Sequence, residues 1–251
     1  MDLTQHARID FLGCPVDRVS VPEAVKWVHQ AAREGKPRRI AVVNANKLFL
    51  MGRDARLKAI VQQSDLIVPE WAVVWGARRL GLSGVCHSGG LLISKALIPF
   101  AAETGLRVFF FGGTPDVVEA LVQRVTTAQP RLEVAGYHHG YVGDAVGLAE
   151  VRRLISDARP DVLLVAMGSP AQEYWICDHA QPLGVPVSMG VGGSFDVLSN
   201  RKKDTPQWAR GRGLEWLYRT VQSPRTHAKR YLVTNTWFLW QVFKARLVRN
   251  H

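Results

Sequence analysis

Cysteine is scarce in this 251-residue chain: Cys14, Cys86 and Cys177 are odd in number and widely scattered. That spacing gives neither a disulfide framework nor a paired zinc knuckle, and it points to a reducing compartment. Long apolar runs are missing too. No stretch supplies the roughly 20 apolar residues of a membrane-crossing helix, and the opening MDLTQHARID lacks the apolar segment of a secretory signal. Several catalytic signatures are absent as well. There is no Walker A loop and no G-x-S-x-G elbow, and FFFGGTPDVVEA (109–120) lacks the third glycine of a nicotinamide fingerprint. No Asp-x-Asp is present to hold a divalent ion on a sugar nucleotide. His138 and His139 have no i, i+4 partner or carboxylate pair to complete a metal site, so they read as a surface loop before Gly140.

Acid is what the last fifth of the chain has least of. From Arg201 onward twelve Lys or Arg face only Asp204 and Glu215, whereas the preceding residues are nearly neutral; the tail therefore holds almost all of the net charge of +11. It also carries four of the eight tryptophans, Trp208, Trp216, Trp237 and Trp240. Basic residues interleaved with indoles suit an anionic lipid surface, a nucleic acid or a polyphosphate substrate. The plainer alternative is a solvated basic helix with core-facing aromatics. Tyr231–Phe243 (YLVTNTWFLWQVF) is fenced by Lys229 and Arg230 before it and by Lys244, Arg246 and Arg249 after it. Too short to span, this segment suits a helix lying in the headgroup layer. A helix packed on the body or on another subunit competes with that reading, and a homo-oligomer is left open.

The whole chain is 47% apolar and 21% charged, ordinary for a folded protein that can build its core without covalent staples. Short β-branched or apolar runs at Arg39–Val43, Leu66–Val68, Arg107–Phe111, Leu132–Ala135, Val162–Ala166 and Val185–Met189 read as strands. Helical spacing occupies Lys47–Gln63, Ala72–Leu80, Leu148–Ala158, a segment from Pro115 and another from Pro170. Alternation of this kind, with strands apolar on both sides, predicts an α/β fold: a Rossmann-like, mainly parallel sheet covered by helices on both faces. Beyond Leu198 only helical signals remain. The expected organisation is a body over 1–200 and a basic, Trp-rich helical appendage over 201–251.

Ligands of open α/β sheets sit beyond the carboxyl ends of the strands. The segments expected at that edge are Asn44-Ala45-Asn46, Pro69-Glu70-Trp71, Gly112-Gly113-Thr114-Pro115, Gly168–Glu173 and Gly190–Asp196. Glycines there let backbone amides and helix N-termini approach phosphate oxygens, which favours a nucleotide ligand.

The strings GSPAQE (168–173), GVGGSFD (190–196) and GLEWLYR (213–219), followed by Pro224-Arg225, resemble successive signatures of the WecG/TagA/CpsF glycosyltransferases. The resemblance runs from about Ile9 to Arg230 and includes Val43–Asn46 and Phe111–Gly113. It implies an inverting, metal-independent enzyme that needs no cofactor. Such an enzyme moves a sugar from a UDP-sugar to a polyprenyl-diphosphate-linked saccharide at the cytoplasmic face of a bacterial inner membrane, where it is peripheral. It also implies a C-terminal appendage that closes over the site and touches the membrane. The family's Pro-Asp-Gly is Pro69-Glu70-Trp71 here, so Glu70 inherits the role of general base. Cys86–Gly90 replaces a Thr-Gly-Ser-Asp segment, and Asn44 replaces a threonine. The donor is accordingly open among N-acetylmannosamine, glucose and glucuronic acid.

On that reading Glu70 takes the proton of the attacking hydroxyl. Arg219, Arg225 and Arg230 neutralise the leaving diphosphate in place of a metal, supported by the amides of Gly112 and Gly113. Gln172 and Glu173 read sugar or ribose hydroxyls, Asn44 and Asn46 read the acceptor or donor sugar, and Gly192 and Gly193 line the substrate. Asp196 is either an N-cap or a ligand residue. The competing class is a non-enzymatic Rossmann-like protein whose basic tail holds nucleic acid, but in it the glycine loops and GVGGSFD have no role.

Overall fold

A computed structural model describes residues 7–206, 209, 218 and 224–249. A two-stranded antiparallel hairpin, β1 (Arg8–Phe11) and β2 (Cys14–Asp17), leads into helix α1 (Val21–Glu34). Six strands then build one sheet in the order β4-β3-β8-β7-β5-β6, every neighbouring pair parallel. They are β3 (Arg38–Val43), β4 (Leu66–Pro69), β5 (Val108–Gly112), β6 (Val134–His138), β7 (Val162–Ala166) and β8 (Val187–Gly190).

Side chains alternate across each strand, so the two faces have separate cores. Ile40, Val42, Phe110 and Leu164 pack on one face against α1, α5 (Gly90–Thr104), α6 (Pro115–Ala128) and α9 (Ser194–Leu198). On the other, Ala41, Val43 and Ile67 meet the hairpin, α2 (Ala45–Met51), α3 (Ala55–Gln62) and α4 (Trp71–Arg79). Phe109, Phe111, Leu163 and Val165 meet α7 (Ala145–Ala158) and α8 (Ala171–Trp175), which continues as a π-turn over Ile176–Ala180. The expected α/β sheet covered on both faces is the fold observed.

Details differ where local chemistry overrides periodicity. The helix expected over Lys47–Gln63 is two helices, because Gly52 ends α2 and Asp54 caps α3 by accepting the Leu57 N–H at 2.9 Å. The strand expected at Leu132–Ala135 lies at Val134–His138, a half-buried edge strand. The hairpin, α1 and α5 are additional elements. A local sequence signal did mark α1: Glu23 accepts the Ser20 N–H at 2.8 Å, and Gly35 ends the helix at φ +67°.

The chain closes with α10 (Pro224–Arg249). Its side chains Thr234, Phe238 and Val242 are buried, and Phe238 and Val242 join the core under α2 and α4. A Cβ on Gly76 of α4 would stand 2.7 Å from Phe11 and 3.0 Å from Phe238, so the absence of a side chain there is what lets α10 approach.

Burial separates the three thiols. Cys14 is buried and Cys86 exposed, and burial pushes the Cys14 thiol up to about 12. In mildly alkaline buffer a chromogenic disulfide reagent should label Cys86 first, half-buried Cys177 more slowly, and Cys14 only after denaturant is added. Prompt labelling of all three in native protein would contradict this packing.

Candidate active site

The carboxyl edge of the sheet splits open around β8. The chain leaves β8 through α9 on one face, while the helices after β3 and β7, α2 and α8, lie on the other. Such divergence makes the crevice in which doubly wound sheets place their ligands. The segment before α5 crosses the same edge, since the Ser88 N–H donates to the Pro69 carbonyl at 3.1 Å. Gly90 then sits where a Cβ would be 3.3 Å from Val42 and 3.4 Å from Val191 Cα.

Glu70 stands at this rim, half-buried, its N–H bonded to the Val43 carbonyl at 2.8 Å. It occupies the N-cap position of α4 without using its side chain as a cap. Instead the carboxylate accepts a hydrogen bond from Asn44: Nδ2 donates to Oε2 at 3.2 Å. The other end of the Asn44 amide caps α2, with Oδ1 accepting the Lys47 N–H at 2.9 Å. Both ends of the amide thus have protein partners, and Asn44 orients the Glu70 carboxylate. Gly89 closes the third side, for a Cβ there would be 2.9 Å from Glu70 Cγ. Asn46 lies half-buried in the first turn of α2.

Lys47 is a residue the sequence reading missed. It is only 2% exposed, and its Nζ bonds Glu173 Oε1 at 2.6 Å. Gln172 Nε2 donates to the same oxygen at 2.8 Å, and Gln172 Oε1 accepts the Gly192 N–H at 3.0 Å. Gln172 and Glu173 are therefore buried and turned to each other, to Lys47 and to the β8 loop. Gly190 makes room for them: a Cβ there would meet Gln172 Nε2 at 2.5 Å.

The glycines expected to cradle phosphate are partly committed elsewhere. Gly113 gives its N–H to the Ala166 carbonyl at 2.9 Å, and Gly192 gives its own to Gln172. What Gly112 supplies is clearance, as a Cβ would lie 2.4 Å from the Ala166 oxygen. Gly193 is the N-cap of α9. Asp196 is therefore not the cap; it sits in the first turn of α9 and pairs with Lys202 at 3.4 Å. The His138 and His139 rings are 4.3 Å apart at the end of β6, beside Gly112 through Gly140. Among the described residues no group of three or more His, Cys, Asp or Glu side chains gathers as a metal site.

The comparisons with known proteins decide the family. A model of the glycosyl transferase WecG/TagA/CpsF family matches residues 9–251. The chain belongs to the WecG/TagA/CpsF family. Among its relatives is the N-acetylglucosaminyldiphosphoundecaprenol N-acetyl-beta-D-mannosaminyltransferase of Bacillus subtilis (strain 168), 32% identical over 186 residues that cover 74% of this chain and 72% of that protein. An enzyme of the same description from Staphylococcus aureus (strain MW2) is 28% identical over 243 residues, covering 96% of this chain and 94% of the relative. This WecG/TagA/CpsF chain is thus a glycosyltransferase, and the non-enzymatic nucleic-acid reading gives way. Of the arginines expected to meet the leaving diphosphate, Arg219 lies outside the described residues. Arg225 and Arg230 belong to α10, with side chains outside the described set.

Proposed function

We propose that the chain transfers a sugar from a UDP-sugar to a saccharide carried on undecaprenyl diphosphate, with inversion and without a metal or other cofactor. The observation that carries this reading is Glu70, a carboxylate on the rim of the crevice that Asn44 holds by one oxygen. Among the described residues Oε1 takes no hydrogen bond and is the atom available to an attacking hydroxyl. The names of the relatives support the substrate class. Both act on a diphosphoundecaprenol-linked N-acetylglucosamine and give a β-linked product, which from an α-linked nucleotide sugar is inversion.

In such a transfer the acceptor hydroxyl attacks the anomeric carbon in line as UDP departs, and it becomes acidic as the new bond forms. Glu70 takes that proton. Negative charge grows on the departing diphosphate, and Arg219, Arg225 and Arg230 meet it, each planar guanidinium able to hold two phosphate oxygens. The donor is N-acetylmannosamine, glucose or glucuronic acid; the differences at Asn44 and Cys86–Gly90 fall at loops that line the sugar region in the family.

The test is transfer from a panel of UDP-sugars to a lipid-linked acceptor in chelator-treated buffer, with the anomeric configuration of the product read by NMR. A β product formed at full rate in excess EDTA is expected. Retention of configuration, or a rate restored only by a divalent ion, would overturn the mechanism.

The enzyme is further proposed to work as a peripheral protein at the cytoplasmic face of the inner membrane. Among the described residues no helix is long and apolar enough to cross a membrane. α10 leaves apolar side chains uncovered, with Leu232 72%, Trp240 60%, Phe243 53% and Val248 70% exposed. Lys244 and Arg246 are exposed among them, a combination suited to anionic headgroups. Burying one large apolar side chain is worth about 1.5–3 kcal/mol. Trp240→Ser with Phe243→Ser should therefore weaken flotation with anionic vesicles by at least about tenfold. Unchanged flotation would remove α10 as the contact.

A further inference from the structure

The Lys47–Glu173 ion pair is an expensive feature for an interior. Its side chains are 2% and 6% exposed, and taking two charges out of water is a penalty that well-packed apolar residues would avoid. The pair is not optimised for its own satisfaction either. Lys47 Nζ and Gln172 Nε2 both converge on Oε1 of Glu173, while Oε2 is buried without a partner among the described residues. What the arrangement achieves is connection. Its partners sit 126 positions apart in sequence, in the first turn of α2 and the first turn of α8. Toward β8 it continues through Gln172 to the Gly192 N–H. Toward β4 it continues through the Lys47 N–H to Asn44 and on to Glu70. One run of polar contacts thereby joins the loops after β4, β3, β8 and β7, the four strands that stand side by side across the crevice.

We infer that Lys47 and Glu173 are positioning residues for the transfer reaction: their buried pair fixes the first turn of α2, and through it the Asn44 amide that aims Glu70, relative to the β7 and β8 loops. The inference rests on the role of Glu70 proposed above. Lys47 and Glu173 are turned to each other and are assigned no contact with the reacting atoms. Both act through Asn44 and Gln172, whose side chains each bond in two directions.

The experiment separates positioning from mere stability. Lys47→Met or Glu173→Gln alone leaves a buried partner altered or unpaired, and both single variants should melt earlier. The double variant Lys47→Met/Glu173→Gln removes both charges and keeps a hydrogen-bond acceptor for Gln172, so its melting temperature should return close to that of the unaltered enzyme. Its kcat should nonetheless remain about tenfold to a hundredfold down, the cost of a misaimed reacting group, with KM for the UDP-sugar within about twofold. Adding Asn44→Ala to the double variant should then cost little more, because residues acting along one route are not additive. Recovery of kcat together with melting temperature would overturn the inference by showing that the pair only stabilises. Losses that multiply with Asn44→Ala would overturn it by showing an independent route. A Glu70→Gln enzyme with full turnover would remove the role of Glu70 and this inference with it, a result distinct from either.

Discussion

Glu70→Ala should lower turnover by about a hundredfold or more, the usual contribution of a positioned general base, while the variant folds and melts like its parent. The separation is expected because the Glu70 side chain does not cap α4 and its side-chain hydrogen bond among the described residues is to Asn44 at the half-buried rim. The bland alternative makes Glu70 a favourable charge at a helix N-terminus, worth about 0.3–1 kcal/mol. Under that alternative the melting temperature would fall slightly and turnover would persist. Steady-state kinetics and a thermal melt on the same preparation distinguish the two. Glu70→Gln is the closer control, since it keeps the volume beside Gly89 and a hydrogen-bonding oxygen for Asn44. Turnover within about threefold of the parent in both variants would leave the base unassigned, because a positioned acid–base group contributes far more than that.

The largest effect on stability is expected at Gly112. Its φ of +129° lies where side chains are strained, and an added Cβ would stand 2.4, 2.5 and 2.7 Å from the oxygen, carbon and Cα of Ala166. Those atoms are backbone in β7, paired in register with Gly112 itself, and the Ala166 carbonyl also accepts the Gly113 N–H. Nothing at that point can rotate aside. Gly112→Ala should cost upward of about 4 kcal/mol, a large part of the margin of most domains, and leave little folded protein. Gly113→Ala is the informative neighbour. It also has positive φ, at +70°, but its nearest obstacle is the Val117 side chain at 3.1 Å. A cost of about 1–2 kcal/mol is expected there. Urea unfolding of both variants tests the contrast, and equal midpoints would mean that the close approach to β7 does not matter.

The parts of this fold legible in the sequence are those in which one local pattern has one outcome. VLLVA at 162–166 is apolar at every position because both of its faces are covered, and its short, β-branched run bounded by Pro160 and Gly168 suits a central strand. The helix pattern over 47–63 failed for a comparable reason: apolar spacing carried across Gly52–Asp54, and the competing N-cap signal of Asp54 prevailed. In the site, Glu70 and Asn44 were legible as strand-end residues, since their positions follow directly from where β3 and β4 stop. Their mutual hydrogen bond was not. Lys47 was least legible of all, because a lysine in a helical pattern ordinarily faces water. Only the tertiary meeting of α2 with α8 makes its charge an interior one. Gln172 and Glu173 were rightly noticed at the edge, but sequence carries no sign of which way a rim side chain turns.

The position of β8 has a consequence for how the protein is made. This strand is the last of the sheet to leave the ribosome, yet in the strand order it stands between the β3–β4 pair and the β5–β6–β7 trio. Until Val187–Gly190 emerges, the nascent polypeptide carries two part-sheets whose inner edges, on β3 and β7, are bare, apolar and prone to wrong pairing. The same four residues that complete the sheet lead directly into Gly192 and its bond to Gln172. Synthesis therefore closes the sheet and assembles the crevice in one late event, and a chain released before that point has neither.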